Sequence, residues 1–360
     1  MKKFAHKHKF CKKDFATVLL LVLSVAMLCV FLPLLPQKPT TAPPKHYQVV
    51  LQLWNVENFE GGSGNRHQWL VGKCANFEKQ HTGLFVHVTT LSHEQALQKL
   101  NDGQSFDIVC FSRGTANAFL PRLVPFDGQT SHLNDNFVLA TVVGGKQMAV
   151  PLYTGGYLLF ARTSQVGQNY NVSNVFQHTY AKKVGKTQQN LKPLMGGFAT
   201  FNSPISALYH EGVVGGTPFE QDFSQYQAYQ QFVANNVAVS LLGTQRDLVR
   251  LLQRQENGKI PPLSILPLGG YTDLLQCVAL GTSNQMATEF VEYLVSNEVQ
   301  QTLCNVGLFA VTNQNWYTAE TFCQLESLLK TAHVPNVFDD EQSIARQKQQ
   351  AENAVFGGKQ

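Results

Sequence analysis

Residues 47–54 (YQVVLQLW) interleave β-branched, aromatic and amide side chains and predict a strand, after which Leu70, Cys74, Phe77 and His81 fall on one face at helical spacing. A glycine-rich loop, Glu60-Gly61-Gly62-Ser63-Gly64, separates the two. The pattern then repeats. Residues 84–88 (LFVHV) predict a second strand, and Ser92 with Gln95 predicts a capping box opening a short helix that ends near Asp102-Gly103. Residues 106–111 (FDIVCF) predict a third strand. Strands alternating with helices predict a parallel sheet with right-handed crossovers, in which ligands bind beyond the carboxyl ends of the strands. That rule places the Glu60 loop and Ser112-Arg113-Gly114 on one rim.

Residues 147–160 (QMAVPLYTGGYLLF) join two apolar runs through Tyr153-Thr154-Gly155-Gly156, and the permissive glycines predict a hinge. A second strand and helix alternation fills 160–266. Within it, Gly243-Thr244-Gln245-Arg246-Asp247 opens a helix with the stripe Leu248, Leu251 and Leu252. Leu266-Pro267-Leu268-Gly269-Gly270 predicts a return crossing. Ala287, Phe290, Val291 and Leu294 form the apolar face of a helix capped near Asn284, and a glutamine-rich helix follows Asp339. The absence of a repeat of roughly 20 to 50 residues argues against a solenoid or propeller.

The N-terminal pattern differs. Residues 16–35 carry no charge, and a helix of that length reaches roughly 30 Å, the thickness of a bilayer's hydrocarbon core. Six lysines (Lys2, Lys3, Lys7, Lys9, Lys12, Lys13) and Asp14 put +5 into the first 15 residues. The positive-inside rule then keeps 1–15 as a cytoplasmic basic stub and sends the remainder to the extracytoplasmic face of the cell membrane. Residues 16–35 read as a transmembrane anchor or uncleaved signal, with a cleaved signal peptide or lipidation at Cys29 as competing readings. Pro36, Pro39, Pro43 and Pro44 make 36–46 a stiff stalk.

Length and charge narrow the function. The chain has 360 residues, 44% of them hydrophobic and 14% charged, which predicts a globular protein of two domains beyond the stalk. With the stub carrying +5 of a net +4, the body is close to neutral and lacks the basic stripe that nucleic acid requires. Cys74, Cys110, Cys277, Cys304 and Cys323 show no metal spacing and read as small buried hydrophobes, with a Cys304 to Cys323 pairing left open. Neither H-E-x-x-H nor G-x-S-x-G occurs, so no catalytic residue, metal or cofactor is nominated.

Candidate ligand contacts follow from local chemistry. Glu60 offers an acceptor and Arg66 a fork of donors around a loop that lacks both the P-loop and the dinucleotide fingerprint. Thr244 and Asp247 fit a helix cap, which leaves Arg246 unexplained. Tyr153, Tyr157 and Tyr271 flank the two crossings, where an aromatic face stacks well on a sugar ring.

Trp54, Phe59-Glu60-Gly61-Gly62-Ser63-Gly64-Asn65-Arg66, Phe77-Glu78-Lys79-Gln80 and Phe106-Asp107-Ile108 together resemble extracellular solute-binding proteins of the sugar-binding, maltose-binding-protein-like superfamily, in particular a Gram-positive branch. Leu242-Gly243-Thr244-Gln245-Arg246-Asp247, Pro267-Leu268-Gly269-Gly270-Tyr271-Thr272-Asp273 and Ala287-Thr288-Glu289-Phe290 with Leu294-Val295-Ser296 are similar to further signatures of that branch. The resemblance implies a two-lobed α/β periplasmic-binding-protein fold of type II. Lobe one would be 47–153 and 271–311, and lobe two 154–270 and 312–360. It also implies capture of a small solute, a sugar or oligosaccharide, by a monomer that delivers it to an ABC permease. An anchored accessory or sensor protein of the same fold is the alternative. The cleft residues it implies are Glu60, Arg66, Ser112, Arg113 and Tyr153, with Arg246, Asp247 and Tyr271 from the branch signatures.

Overall fold

The computed structural model describes residues 47–57 and 66–357, apart from 185, 199 and 236. The expected stub, anchor and stalk, Cys29, and Glu60 with its glycine-rich loop lie outside the described residues. Among those described, no helix is long and apolar enough to cross a membrane.

The chain begins with β1 (Val49–Val56), α1 (Arg66–Gln80), β2 (Leu84–Leu91), α2 (His93–Asn101) and β3 (Ile108–Ser112). After short helical turns and a small hairpin come β4 (Val150–Thr154), β5 (Tyr157–Arg162), β6 (Tyr180–Val184), β7 (Thr187–Gly197) and α3 (Pro204–His210). Next are β8 (Glu220–Phe223), α4 (Gln225–Ala234), β9 (Ala238–Thr244), α5 (Gln245–Glu256) and β10 (Leu263–Leu268). The last are β11 (Leu275–Leu280), α6 (Gln285–Val295), α7 (Glu320–Leu329) and α8 (Glu341–Phe356).

These strands make two sheets. The first has the order β2-β1-β3-β11-β4, and the second β8-β7-β9-β5-β10 with β6 paired to β7. In the first sheet β1, β2 and β3 are parallel, as their alternation with helices predicts. The expectation of an all-parallel sheet fails at β11, which runs antiparallel to both β3 and β4. The reason is topological: β11 enters from the second sheet rather than through a helix crossover, so no right-handed βαβ unit fixes its direction. The second sheet is mixed in the same way, with β9 parallel to β7 and antiparallel to β5.

Burial explains why these segments become strands and helices. Every residue of β3, β4, β5, β9 and β11 is buried, the mark of a sheet covered on both faces. Helix α6 presents Ala287, Phe290, Val291 and Leu294 to β4 and β11, with the Phe290 ring 5.0 Å from that of Phe77 on α1. Fully burying one such aromatic side chain stabilises the fold by roughly 2 to 3 kcal/mol. Helix α2 starts as its sequence predicts: Ser92 Oγ accepts from Gln95 N–H, while Gln95 Oε1 accepts from Ser92 N–H at 2.9 Å. The pairing left open for Cys304 and Cys323 is not formed, and both are free thiols.

Candidate functional site

The chain passes between the two sheets at 155–156 and again at 269–274, and a third segment around 330–338 lies beside the second. Thr154 Oγ1 donates to Leu274 O at 2.9 Å, Gly155 N–H to the same oxygen at 2.7 Å, and Thr272 Oγ1 to Gly155 O at 2.9 Å. Thr272 N–H donates to His333 O, and His333 N–H to Gly270 O, each at 3.0 Å. The crossings are thus laced into one hinge. Gly155 and Gly156 were expected to supply backbone freedom, yet neither has a positive φ. Their role is close approach: a Cβ on Gly155 would lie 2.6 Å from Gln245 Nε2, and one on Gly156 2.9 Å from Leu325 Cδ1. Gln245 opens α5 and accepts from Gly156 N–H at 2.9 Å, which ties that helix to the hinge.

A buried polar network sits against this hinge. Asp273 is 2% exposed and accepts from Tyr157 Oη at 2.5 Å, Ser203 N–H at 2.7 Å and Tyr271 Oη at 3.3 Å. Burial, reinforced by the Asp273 carboxylate, holds both tyrosine hydroxyls well above their ordinary pKa, so they remain donors. Arg113, 2% exposed, donates to Asp339 Oδ2 at 2.7 Å, to Tyr271 Oη at 3.5 Å and to Gln347 Oε1 on α8. Helix α8 packs on α3, and Gly216 N–H donates to Val355 O at 2.7 Å. Arg113 therefore joins the end of β3 in the first sheet to a helix packed on the second-sheet side.

Phe201 closes the same side. Gly114 adopts φ +89°, and a Cβ there would fall 2.1 Å from the Phe201 ring, which also lies 5.0 Å from His93 at the start of α2. Only glycine fits both the backbone and the contact. A cavity of about 190 Å³ opens nearby, lined by Thr200, Ser203, Ile205, Lys348 and Glu352 among others. His210, at the end of α3, stacks on Tyr271 and His333 with ring centroids 5.2 and 4.9 Å away, joining the second crossing to the segment beside it.

The remaining expected contacts form two groups. Arg66 is the first residue of α1, immediately after the glycine-rich loop, and it hydrogen-bonds Tyr153. Burial pushes the Tyr153 hydroxyl up to about 12, with Arg66 pulling the other way. Trp69 meets the Tyr153 ring edge-on at 6.0 Å and is pinned by its Nε1–H to Thr302 Oγ1 at 3.0 Å. Arg66, Trp69 and Tyr153 thus make one polar and aromatic wall beside the start of the first crossing. On the other side, Asp247 Oδ2 accepts from Thr244 N–H at 3.0 Å, and Arg246 is half-buried beside Asp247 and Arg250. Ser112 is buried at the end of β3. Expected residues on each side are brought together, but Ser112, Arg113, Tyr153, Asp247 and Tyr271 are each at most 5% exposed. Trp69, Asp273, Asp339 and Gln347 were not foreseen, and of these Asp273 stood inside a quoted signature.

Asp247 carries a pH signature. Burial raises its carboxyl from an ordinary 3.8 to about 6, outweighing the Thr244 N–H and the neighbouring arginines. A carboxyl raised on folding adds stability that is complete below its unfolded pKa and lost as pH rises through the folded one, here between about pH 4 and pH 6. A shift of two units amounts to about 3 kcal/mol. We predict that Asp247→Asn, which keeps an acceptor for Thr244, melts progressively higher than the unchanged protein as pH is raised from 4 to 8. Equal differences at both ends of that range would contradict this assignment.

Among the described residues no group of three or more His, Cys, Asp or Glu could hold a metal ion. No family model matches the sequence, and no curated protein matches it either. Solved structures do match. The sugar-binding protein MalE from Xanthomonas citri superposes with a TM-score of 0.60 at 15% identity, covering 87% of this chain and 93% of its own. The GacH receptor of Streptomyces glaucescens, solved unliganded and with acarbose, gives 0.59 at 15% identity over 86% and 93%. Thiaminase I from Bacillus thiaminolyticus gives 0.58 at 12% identity over 85% and 99%, so an enzyme also shares the architecture. At these identities the likeness is one of fold: the chain has the two-lobed α/β fold of these proteins.

Proposed function

We propose that this chain is a solute-binding protein that captures a sugar or oligosaccharide between its two lobes by closing a hinge. The observation that carries the reading is the laced hinge at Thr154, Gly155, Thr272 and His333 between two separate sheets, in a fold shared with sugar-binding proteins. A cleft about such a hinge completes a ligand's hydrogen bonds from both sides, and the ligand shifts the equilibrium only if it binds the closed form better. Lobe one would be 47–153 and 271–311, and lobe two 154–270 and 312–360. Arg66 and Tyr153, with Glu60, would meet the solute from lobe one and Arg246 from lobe two, while Ser112, Arg113, Asp247 and Tyr271 stand behind them.

The reading extends to an extracytoplasmic protein of the Gram-positive branch, held at the membrane by residues 16–35 and delivering its solute as a monomer to an ABC permease. No bond is broken in this scheme, so the protein is not an enzyme. A second reading, an anchored accessory or sensor protein, is favoured by one observation: Arg113, Asp247 and Tyr271 are buried and engaged by the chain itself. The test is to melt the full-length chain, in detergent, against a panel of sugars and oligosaccharides. The proposal expects a hit that is abolished in Arg66→Ala. Silence from folded protein would favour the accessory reading.

A further inference from the structure

A cavity in the body lies outside the hinge region. It has a volume of about 420 Å³ and is lined by residues of α4, α5 and the turn that follows, all within the second lobe. Its walls carry Arg250, Arg254, Lys259, Tyr226, Tyr229 and two side-chain amides, with no carboxylate among them.

Helix geometry sets the cations in register. Arg250 and Arg254 are four residues apart and so share a face of α5. A basic residue at a helix C-terminus complements the dipole, which accounts for Arg254 in the last turn. It does not account for Arg250 in the middle of the helix. Nor does it account for the aromatic support: the Arg250 guanidinium lies 5.6 Å from the Tyr226 ring and 5.5 Å from the Tyr229 ring, and those two rings stack at 6.3 Å. Arg254 lies 5.8 Å from the Tyr229 ring and donates Nε–H to the Tyr229 hydroxyl at 2.8 Å. Both guanidiniums thus rest against tyrosine rings before any ligand arrives. Arg250 Nη1 is buried with no hydrogen-bond partner in the protein, and neither arginine forms a salt bridge among the described residues.

Guanidinium forks with no protein carboxylate in salt-bridge contact match the geometry of a tetrahedral oxyanion. The volume exceeds what a bare ion fills and falls within the range of small-molecule sites. Tyr226, 52% exposed, leaves an aromatic surface for the body that carries the anion. We infer that this cavity is a second binding site, specific for a phosphomonoester of a small hydroxylic compound such as a sugar phosphate. It is independent of the interlobe site.

The probe is glucose 6-phosphate, titrated calorimetrically into the full-length chain at low ionic strength, with glucose as the uncharged control. Glucose 6-phosphate is expected to bind, more weakly as salt is raised, and glucose to give no heat at the same concentration. Loss of one charge-assisted fork corresponds to a tenfold or greater fall in affinity, expected for Arg250→Ala and for Arg254→Ala. Tyr226→Ala, at an exposed side chain that leaves folding intact, is expected to weaken binding severalfold by freeing Arg250. Lys146→Ala, an exposed cation on the other lobe, is expected to leave affinity unchanged. Absence of binding by the unchanged protein, or an equal loss in Lys146→Ala, would overturn the inference. An oligosaccharide melting shift that persists in Arg250→Ala separates this site from the interlobe one.

Discussion

Arg113→Ala is expected to destabilise the full-length chain by about 3 kcal/mol or more, seen as a fall of roughly 5 to 10 °C in melting temperature. The arginine is almost wholly buried and its ion pair with Asp339, itself 21% exposed, spans 2.7 Å. Removing one partner of such a pair leaves the other charge poorly solvated, and that penalty exceeds what the intact pair contributes. Asp339 is the first group exposed to that penalty, and Gln347 and Tyr271 lose a donor with it. Adding Asp339→Asn to Arg113→Ala is expected to recover part of the loss, because it removes the stranded charge. A thermal scan in which Arg113→Ala melts within a degree of the unchanged protein would remove Arg113 from this role.

Asp273→Ala is expected to cost about 3 to 5 kcal/mol, since it strands Tyr157 Oη and Ser203 N–H, two buried donors at about 1 to 3 kcal/mol each, and weakens the seat of Tyr271. Urea denaturation of the full-length chain measures it as a lower midpoint. Tyr157 stands at the start of β5, just past the first crossing, and Asp273 lies on the second, so their bond links the two. In a double-mutant cycle with Tyr157→Phe the two losses are therefore expected to be less than additive. Strict additivity would mean that the hydroxyl and the carboxylate do not share an interaction.

Much of this architecture was legible because its signals are local. The strands at 49–56 and 108–112 are apolar runs, and Ser92 with Gln95 and Asn284 with Met286 are caps separated by two or three residues. The direction of β11 was not legible, since it depends on which sheet the chain has just left. Nor was the job of Gly155 and Gly156, which answers to Gln245 and Leu325, far away in sequence. The site residues were named by type and place, but their partners were hidden: Arg113 meets Asp339 across 226 positions, and Tyr157 meets Asp273 across 116. A lone arginine after a strand gives no sign of whether it will face a solute or an aspartate from another element.

Closure of the two lobes on a carbohydrate is the function proposed above. It is tested most directly by melting the full-length chain with each member of the sugar and oligosaccharide panel. At 100 times its dissociation constant a ligand adds about 2.7 kcal/mol to stability, a shift of several degrees. Such a shift is expected for at least one saccharide, and it is expected to be lost in Arg66→Ala. A folded chain whose melting temperature stays constant across the whole panel would contradict it.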